Sequence, residues 1–195
     1  MLPLTMAPGN SFRNQISITA DSGVGSTTTA KRLHVHLGIS PWRWVNAGAI
    51  MRIFASEKGM SIDDFGTYIS AHPEEKYDEQ CDEMIRKFGE HDYVIFEGRL
   101  VHHFAPQAFH VRLVCDTRVR AERRTQDIPG ATVDEVFEKI IVRDAMNRAR
   151  YEKLYGTDVL WNDDKFNLVL DTGVLSPDDI ARRIIDSHKR WVAGR

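Results

Sequence analysis

The sequence predicts an α/β domain in which one sheet of five parallel strands is covered by helices on both faces. The chain contains five apolar runs typical of strands, at residues 16–20, 42–45, 93–97, 110–115 and 166–170, each followed by a helical pattern. The runs around Ile95 and Val169 are apolar on both faces, as the strands of a doubly covered sheet must be. This alternation of strand and helix favours parallel pairing.

The first predicted strand runs into a loop of small residues and then into a helix. Gly23 and Gly25 allow the backbone to approach a ligand closely. The amides of such a loop point at one spot, which favours phosphate oxygens. The alternative is a strand-to-helix turn without function, because a motif match is only a hypothesis. The residues that we expect to contact phosphate oxygens here are Asp21, Ser22, Gly23, Val24, Gly25, Ser26, Thr27 and Thr28.

The loop departs twice from the phosphate-binding pattern of Gly, four residues, Gly, Lys, and Ser or Thr. Ala20 replaces the first glycine, and Ser26 replaces the lysine. Thr27 keeps the hydroxyl that would ligate Mg²⁺, and we count it as a metal ligand and a catalytic residue. Losing such a positive charge costs about 10²- to 10³-fold in rate. Catalysis therefore requires a replacement, either from the arginines further along the chain or from Lys31.

Arginines follow the second and third predicted strands, at Arg52 and Arg99. A guanidinium can donate two parallel hydrogen bonds to a phosphate. These two side chains could therefore converge on one phosphate group. For one isolated arginine, a solvated salt bridge would be the simpler interpretation.

The stretch between Thr117 and Tyr155 carries no strand signal but much arginine, in two helical parts broken around Pro129 and Gly130. We place an arginine-rich helical lid at about residues 125–157. Its arginines share helix faces, and arginines brought over a transferring phosphoryl group would neutralise its charge. A solvated charged helix is the alternative.

Taken together, these segments resemble the cytidylate kinases, especially their short archaeal-type group. The resemblance covers roughly residues 15–188 and rests on the segments 46–52, 57–61, 97–99, 119–123, 150–151, 155–158 and 171–173, with Arg143. It implies a P-loop NTPase-type three-layer sandwich and the Mg²⁺-dependent transfer of phosphate from ATP to a nucleoside monophosphate, with CMP or dCMP as acceptor. Ala49 stands where the family has an acidic residue, so one polar contact is missing.

The resemblance also implies roles for individual residues. Arg143 and Arg150 would be catalytic lid arginines, and Arg120 or Arg124 would lie against the adenine of ATP. Thr172 and Gly173 would contact the same base. The acceptor region would lie at about residues 46–90, and Arg52 and Arg99 would converge on the acceptor monophosphate. The acceptor would be held by Gly48, Arg52, Arg99, Asp78 and Asp82.

The residues that read the acceptor base stay open at the level of sequence. Asp78 and Asp82 follow Pro73 on a helix of the acceptor region, and their carboxylates would suit an exocyclic amine. They equally suit the wet face of an amphipathic helix.

The final helix has a clear start signal: Ser176 can cap it, Pro177 suits its first position, and it should end near Val192.

Composition argues against several function classes. A net charge of −2 and a pI near 6.4 give no reason to expect a nucleic-acid polymer or a membrane surface as partner. Cys81 and Cys115 lack the spacing of a metal or redox motif, which favours a reducing, cytoplasmic location. We expect a disordered lead-in at residues 1–14, one domain at 15–195, and a monomer or weak homodimer. A catalytically weak or inactive nucleotide sensor and a kinase of another small phosphorylated metabolite stay as alternatives.

Overall fold

The sheet has five strands, and all of them pair in parallel. In this computed structural model, which describes residues 14–156 and 162–195, the order across the sheet is β2-β3-β1-β4-β5. The prediction of a five-stranded parallel sheet is confirmed, and the first strand lies at its centre. The strands are β1 (Gln15–Thr19), β2 (Arg43–Asn46), β3 (Val94–Glu97), β4 (Phe109–Val114) and β5 (Leu168–Asp171).

Helices follow every strand, as the sequence predicts. The break at Pro129 and Gly130 separates α6 from α7, and Ser176 caps α8 by accepting from the backbone N–H of Asp179. Among the described residues the helices are α1 (Ser26–Leu37), α2 (Ala47–Glu57), α3 (Ile62–Ala71), α4 (Tyr77–Phe88), α5 (Val101–Phe104), α6 (Thr117–Thr125), α7 (Val133–Tyr155) and α8 (Pro177–Ala193), with 3-10 turns at Pro73–Glu75 and Asp163–Lys165.

The two faces of the sheet are covered by different helices. On one face, Leu33 of α1 and Ile184 of α8 belong to the same buried cluster as Ile16 and Ile18 of β1. On the other face, Phe96 of β3 packs in a cluster formed largely by α4, α5 and α7. The result is the predicted three-layer arrangement of helix, sheet and helix.

One face of β1 is polar, although it is buried. Ser17 and Thr19 are inaccessible to solvent, and their hydroxyls lie 2.7 Å from His110 Nδ1 and 3.2 Å from His102 Nδ1, respectively. Burial lowers the pKa of His110 to about 4. His102 is buried as well and acts as a packing residue.

The predicted lead-in needs one correction at its last residue. The Asn14 carbonyl accepts hydrogen bonds from the backbone N–H groups of Tyr93 and Val94, because Asn14 extends the pairing of β1 with β3. The rest of that prediction, residues 1–13, lies outside the described residues. Within the described ranges, no helix combines the length and apolar character needed to cross a membrane.

Candidate functional site

A cleft of about 790 Å³ opens at the carboxyl edge of the sheet, between the loop after β1, the helices α2 to α4, and α7. Ligands in open α/β sheets bind at this edge. The predicted site residues that line the cleft are Asp21, Ser22, Gly23, Ser26, Thr27, Gly48, Arg52, Asp78, Asp82, Arg99, Arg124, Arg143 and Arg150. Those that do not line it are Val24, Gly25, Thr28, Arg120, Thr172 and Gly173.

The loop after β1 has the backbone of a phosphate cradle. Gly23 and Gly25 have φ values of 80° and 98°, in the left-handed region that other residues rarely adopt. Gly25 precedes α1, and no side chain caps the helix there. The first amides of α1 are therefore free of a side-chain acceptor and available to an anion.

Two side chains, from α6 and from the residue after β5, hold this loop in place. The Arg120 guanidinium donates through Nε and Nη2 to the Ser22 carbonyl, at 2.9 and 2.6 Å, and through Nη2 to Asp144 of α7 at 2.7 Å. The Thr172 hydroxyl donates to the Val24 carbonyl at 2.6 Å. Both side chains support the loop, and their contacts with adenine stay predictions. Arg123, which sequence reasoning did not place at the site, donates to the Thr172 carbonyl at 2.7 Å.

Glu97, at the end of β3, is a site residue that sequence reasoning missed. It is 3 % exposed, and its carboxylate accepts four hydrogen bonds. Two come from the hydroxyls of Ser26, at 2.9 Å, and Thr27, at 2.6 Å. The other two come from Trp44 Nε1, at 3.1 Å, and Asn46 Nδ2, at 2.7 Å. Among the residues that the structure describes, no Lys or Arg forms an ion pair with it.

This carboxylate and the Thr27 hydroxyl fit the ligand preference of Mg²⁺, which takes oxygen ligands and few protein groups. The four donors to Glu97 are neutral groups, so its carboxylate has no cationic partner among the described residues. The signal that could have revealed Glu97 is its place at the end of a buried strand beside β1.

Arg52 and Arg99 face the same cleft, as the sequence predicts for an acceptor site. The Nε atom of Arg99 is buried, and no described residue accepts a hydrogen bond from it. Gly98 makes this placement possible, because a Cβ at that position would lie 2.7 Å from Ala47 Cβ. Arg52 lies close to Gly48, where an added Cβ would meet its Nη1 at 3.4 Å. Binding of the acceptor phosphate by this pair stays a prediction.

The two predicted lid arginines contact the acceptor region. Arg143 Nη1 lies 3.0 Å from Asp63 of α3, and Arg150 Nε lies 3.3 Å from Asp78 of α4. Arg150 and Asp78 are both buried, each with 12 % of its side chain exposed. Arg150 also donates to the Gly66 carbonyl at 3.4 Å. These contacts fasten α7 across the cleft to α3 and α4.

Asp78 and Asp82 line the cleft and are largely shielded from solvent, so the alternative of a wet helix face is wrong for both. Burial raises the pKa of Asp78, although the charge of Arg150 opposes this shift. Burial also raises the pKa of Asp82 to about 7, and the Tyr155 hydroxyl donates to its carboxylate. Phe65 and Ile69 supply apolar walls nearby. Apolar walls with a few polar groups are typical of small-molecule sites.

Lys31 is exposed on α1 and does not line the cleft, so the alternative that it replaces the loop lysine is wrong. It lies more than one helical turn beyond Ser26, which carries its side chain away from the loop. Thr157, the last residue of the predicted lid, lies outside the described residues, and so does Asp158 of the segment 155–158. The limits of the acceptor and lid regions stay predictions.

Comparison with known proteins agrees with this geometry. A model described as the cytidylate kinase-like family matches residues 15–174. The chain is 36% identical to a cytidylate kinase of Pyrococcus furiosus over 167 residues, which cover 85% of this chain and 83% of the relative. Another relative, a cytidylate kinase of Thermococcus kodakarensis, is 31% identical over 168 residues, covering 85% and 82% of the two chains.

A solved structure supports the fold alone, because its sequence identity is low. Shikimate kinase from Acinetobacter baumannii, in complex with shikimate, superposes with a TM-score of 0.56 at 16% identity. The superposition covers 89% of this chain and 92% of that structure. The parallel sheet and its helices are therefore shared with a wider group of small-molecule kinases.

Proposed function

The chain belongs to the cytidylate kinase-like family, and from this premise we propose that it transfers the terminal phosphoryl group of ATP to CMP or dCMP. Membership of the family makes the chain a nucleoside monophosphate kinase, and the choice of acceptor is our proposal. The observation that carries it is the cleft itself, which is lined both by the loop after β1 and by Arg52 and Arg99, the predicted acceptor arginines. A cytoplasmic location and a monomeric or weakly dimeric state stay predictions.

On the donor side, the amides of the loop and of the first turn of α1 would hold the phosphates of ATP. The Thr27 hydroxyl and the Glu97 carboxylate would hold Mg²⁺. The chemistry that bound Mg²⁺ supplies is neutralisation of charge on the phosphate oxygens. Arg120 and Thr172 keep the loop in shape from behind, because both bond to its carbonyls.

On the acceptor side, Arg52 and Arg99 would bind the monophosphate. Arg99 has a buried Nε without a partner, which an incoming phosphate oxygen would satisfy. Arg143 enters the same cleft from α7 and would stabilise the transferring group. A sensor that only binds a triphosphate would have no use for the acceptor pair, which disfavours the inactive alternative.

We propose that Asp78 and Arg150 read the base, which moves Arg150 from the phosphoryl group to the pyrimidine. They place carboxylate acceptors beside guanidinium donors in a buried part of the cleft. Cytosine has the complementary edge, with an amino donor at N4 and acceptors at N3 and O2. Uracil would set its O4 against the carboxylate and its N3–H against the guanidinium. That mismatch would reject UMP and supports a cytidylate acceptor over an unrelated phosphorylated metabolite.

We expect Asp78→Asn to lower the selectivity for CMP over UMP, measured as a ratio of kcat/KM values, at least tenfold. An amide can offer either an acceptor or a donor, so CMP loses its charged acceptor while UMP loses a repulsive contact. Glu79→Gln is the matched control, because Glu79 is exposed on the same helix and does not line the cleft. Equal losses for CMP and UMP in Asp78→Asn would contradict base reading by this side chain.

A coupled assay of ADP release tests the proposed function as a whole. Wild-type protein with ATP and Mg²⁺ is offered CMP, dCMP, UMP, AMP and GMP, with a reaction lacking acceptor as background. We expect CMP and dCMP to give the highest kcat/KM, at least tenfold above UMP. A protein that binds ATP but releases no ADP above background with any of them would support the sensor alternative instead.

A further inference from the structure

The loop contributes no positive charge of its own where ATP phosphates would lie. Ser26 occupies the position of the usual lysine, and its hydroxyl donates to Glu97 at 2.9 Å. Lys31 is remote from the cleft. The absence of the lysine charge would lower the rate about 10²- to 10³-fold, and this loss must be offset for the proposed transfer to proceed at a useful rate. The compensating cation has to come from another element that reaches the loop.

Arg124, at the end of α6, reaches the loop from outside. Its Nη1 donates to the Ser22 hydroxyl at 3.2 Å. Its Cδ lies 3.2 Å from where a Cβ on Gly23 would be, so the arginine crosses the loop at the residue that lacks a side chain. Arg124 lines the cleft, and no carboxylate within the described ranges pairs with it.

The other arginines near the cleft either pair with a carboxylate or lie on the acceptor side. Arg120 bonds to the Ser22 carbonyl and Asp144, which neutralises its charge. Arg143 pairs with Asp63 and Arg150 with Asp78, both in the acceptor region. Arg52 and Arg99 follow the second and third strands, on the acceptor side. Arg124 is therefore the cleft arginine that touches the loop and keeps an uncompensated charge.

The electrostatics of the cleft agree with this placement. Burial lowers the pKa of Arg143, and the charges of Arg99 and Arg124 lower it further, while Asp63 opposes the shift. Arg99 and Arg124 therefore each place a positive charge within electrostatic range of Arg143. Such a concentration of like charge is unfavourable without a ligand, and a polyphosphate would relieve it.

We propose that Arg124 takes the place of the missing loop lysine, binding the terminal phosphates of ATP and neutralising charge as the phosphoryl group moves. The inference rests on the proposed function, and it differs from the contact with adenine that the family resemblance implies for this residue. The guanidinium approaches the loop from α6, whereas a lysine would approach from the start of α1. Ser26 is then free to bond with Glu97.

Moving the positive charge from position 124 to position 26 tests this role. Arg124→Gln should lower kcat about 10²-fold or more, and Arg124→Lys should keep at least ten times the activity of Arg124→Gln. Ser26→Lys should restore at least tenfold of the loss when combined with Arg124→Gln, because the new ammonium group occupies the usual position. It should give no such rescue when combined with Arg143→Ala. Thermal unfolding of each variant shows that the fold is kept.

The matched control is Arg118→Gln, since Arg118 lies on the same helix but pairs with Asp134 and does not line the cleft. Its activity should equal that of the wild type. Equal activity of Arg124→Lys and Arg124→Gln, or no rescue by Ser26→Lys, would overturn the inference. If the wild type transfers phosphate to no monophosphate, the proposed function fails by itself. The affinity for ATP then tests the role of Arg124. This affinity should fall at least tenfold in Arg124→Gln and should not fall in Arg118→Gln.

Discussion

Replacing Arg99 by alanine should lower kcat/KM for CMP about 10³-fold while affinity for ATP stays within about threefold of the wild type. Arg99 lines the cleft and has a buried Nε that finds no hydrogen-bond partner among the described residues. A monophosphate would supply that partner and a second parallel bond, and charge-assisted pairs of this kind are the strong ones. Steady-state kinetics with CMP as the varied substrate, together with direct titration of ATP, measures both quantities.

Arg148→Ala is the control for this variant, because Arg148 is exposed on α7 and does not line the cleft. It should leave both kinetic and binding values near those of the wild type. If Arg99→Ala weakened ATP and CMP to the same extent, the arginine would serve the site generally and its assignment to the acceptor phosphate would be wrong. Thermal unfolding separates this outcome from a loss of fold.

Two variants of Glu97 should separate its structural role from its chemical role. In Glu97→Gln the amide oxygen can accept from Trp44 and Asn46, while the amide NH₂ donates to the hydroxyls of Ser26 and Thr27, which can accept as well as donate. The fold should therefore keep its stability to within about 1 kcal/mol. Activity should still fall about 10²-fold, because the charge that would hold Mg²⁺ is lost.

Glu97→Ala removes the acceptor of all four bonds and leaves buried donors unsatisfied. The expected cost is about 3 kcal/mol, which corresponds to a fall in melting temperature of about 6 to 12 °C for a chain of this length. Trp44→Phe is the control, since it deletes one donor and leaves the carboxylate charge. Full activity in Glu97→Gln at the same concentration of Mg²⁺ would contradict a role in metal binding.

The fold could be predicted from sequence because its signals are local. Each observed strand overlaps a predicted one. The end of α8 differs from the prediction by one residue, Ala193 in place of Val192. The polar face of β1 was not foreseen, because Ser17 and Thr19 are buried only through histidines that are more than eighty residues away in sequence.

The candidate site was predictable in its residue types and less so in their contacts. The loop and the arginines could be recognised because glycines follow the first predicted strand and arginines follow the second and third, which is an order typical of phosphate binding. The importance of Glu97 depends on donors from α1 and β2, which are distant in sequence. The pairing of Arg150 with Asp78 likewise depends on how α7 crosses the cleft, and no periodic pattern encodes that crossing.

The support that Arg120 gives to the loop shows the same limit. Its spacing from Arg124 places the two on one helix face, and sequence reasoning treats them as alternatives for a single role. The structure separates them, because Asp144 neutralises Arg120 while Arg124 has no such carboxylate among the described residues. Burial and partners distinguish residues that a helical repeat makes equivalent.

The most direct test of the central claim is to follow the labelled terminal phosphate of ATP in the presence of CMP and Mg²⁺, and to identify the labelled product by chromatography. The account predicts that the label appears in CDP, that its appearance depends on CMP, and that UMP replaces CMP at least ten times less efficiently. Label recovered only in ATP and inorganic phosphate, with no labelled CDP from protein shown to bind ATP, would contradict the claim that this chain is a cytidylate kinase.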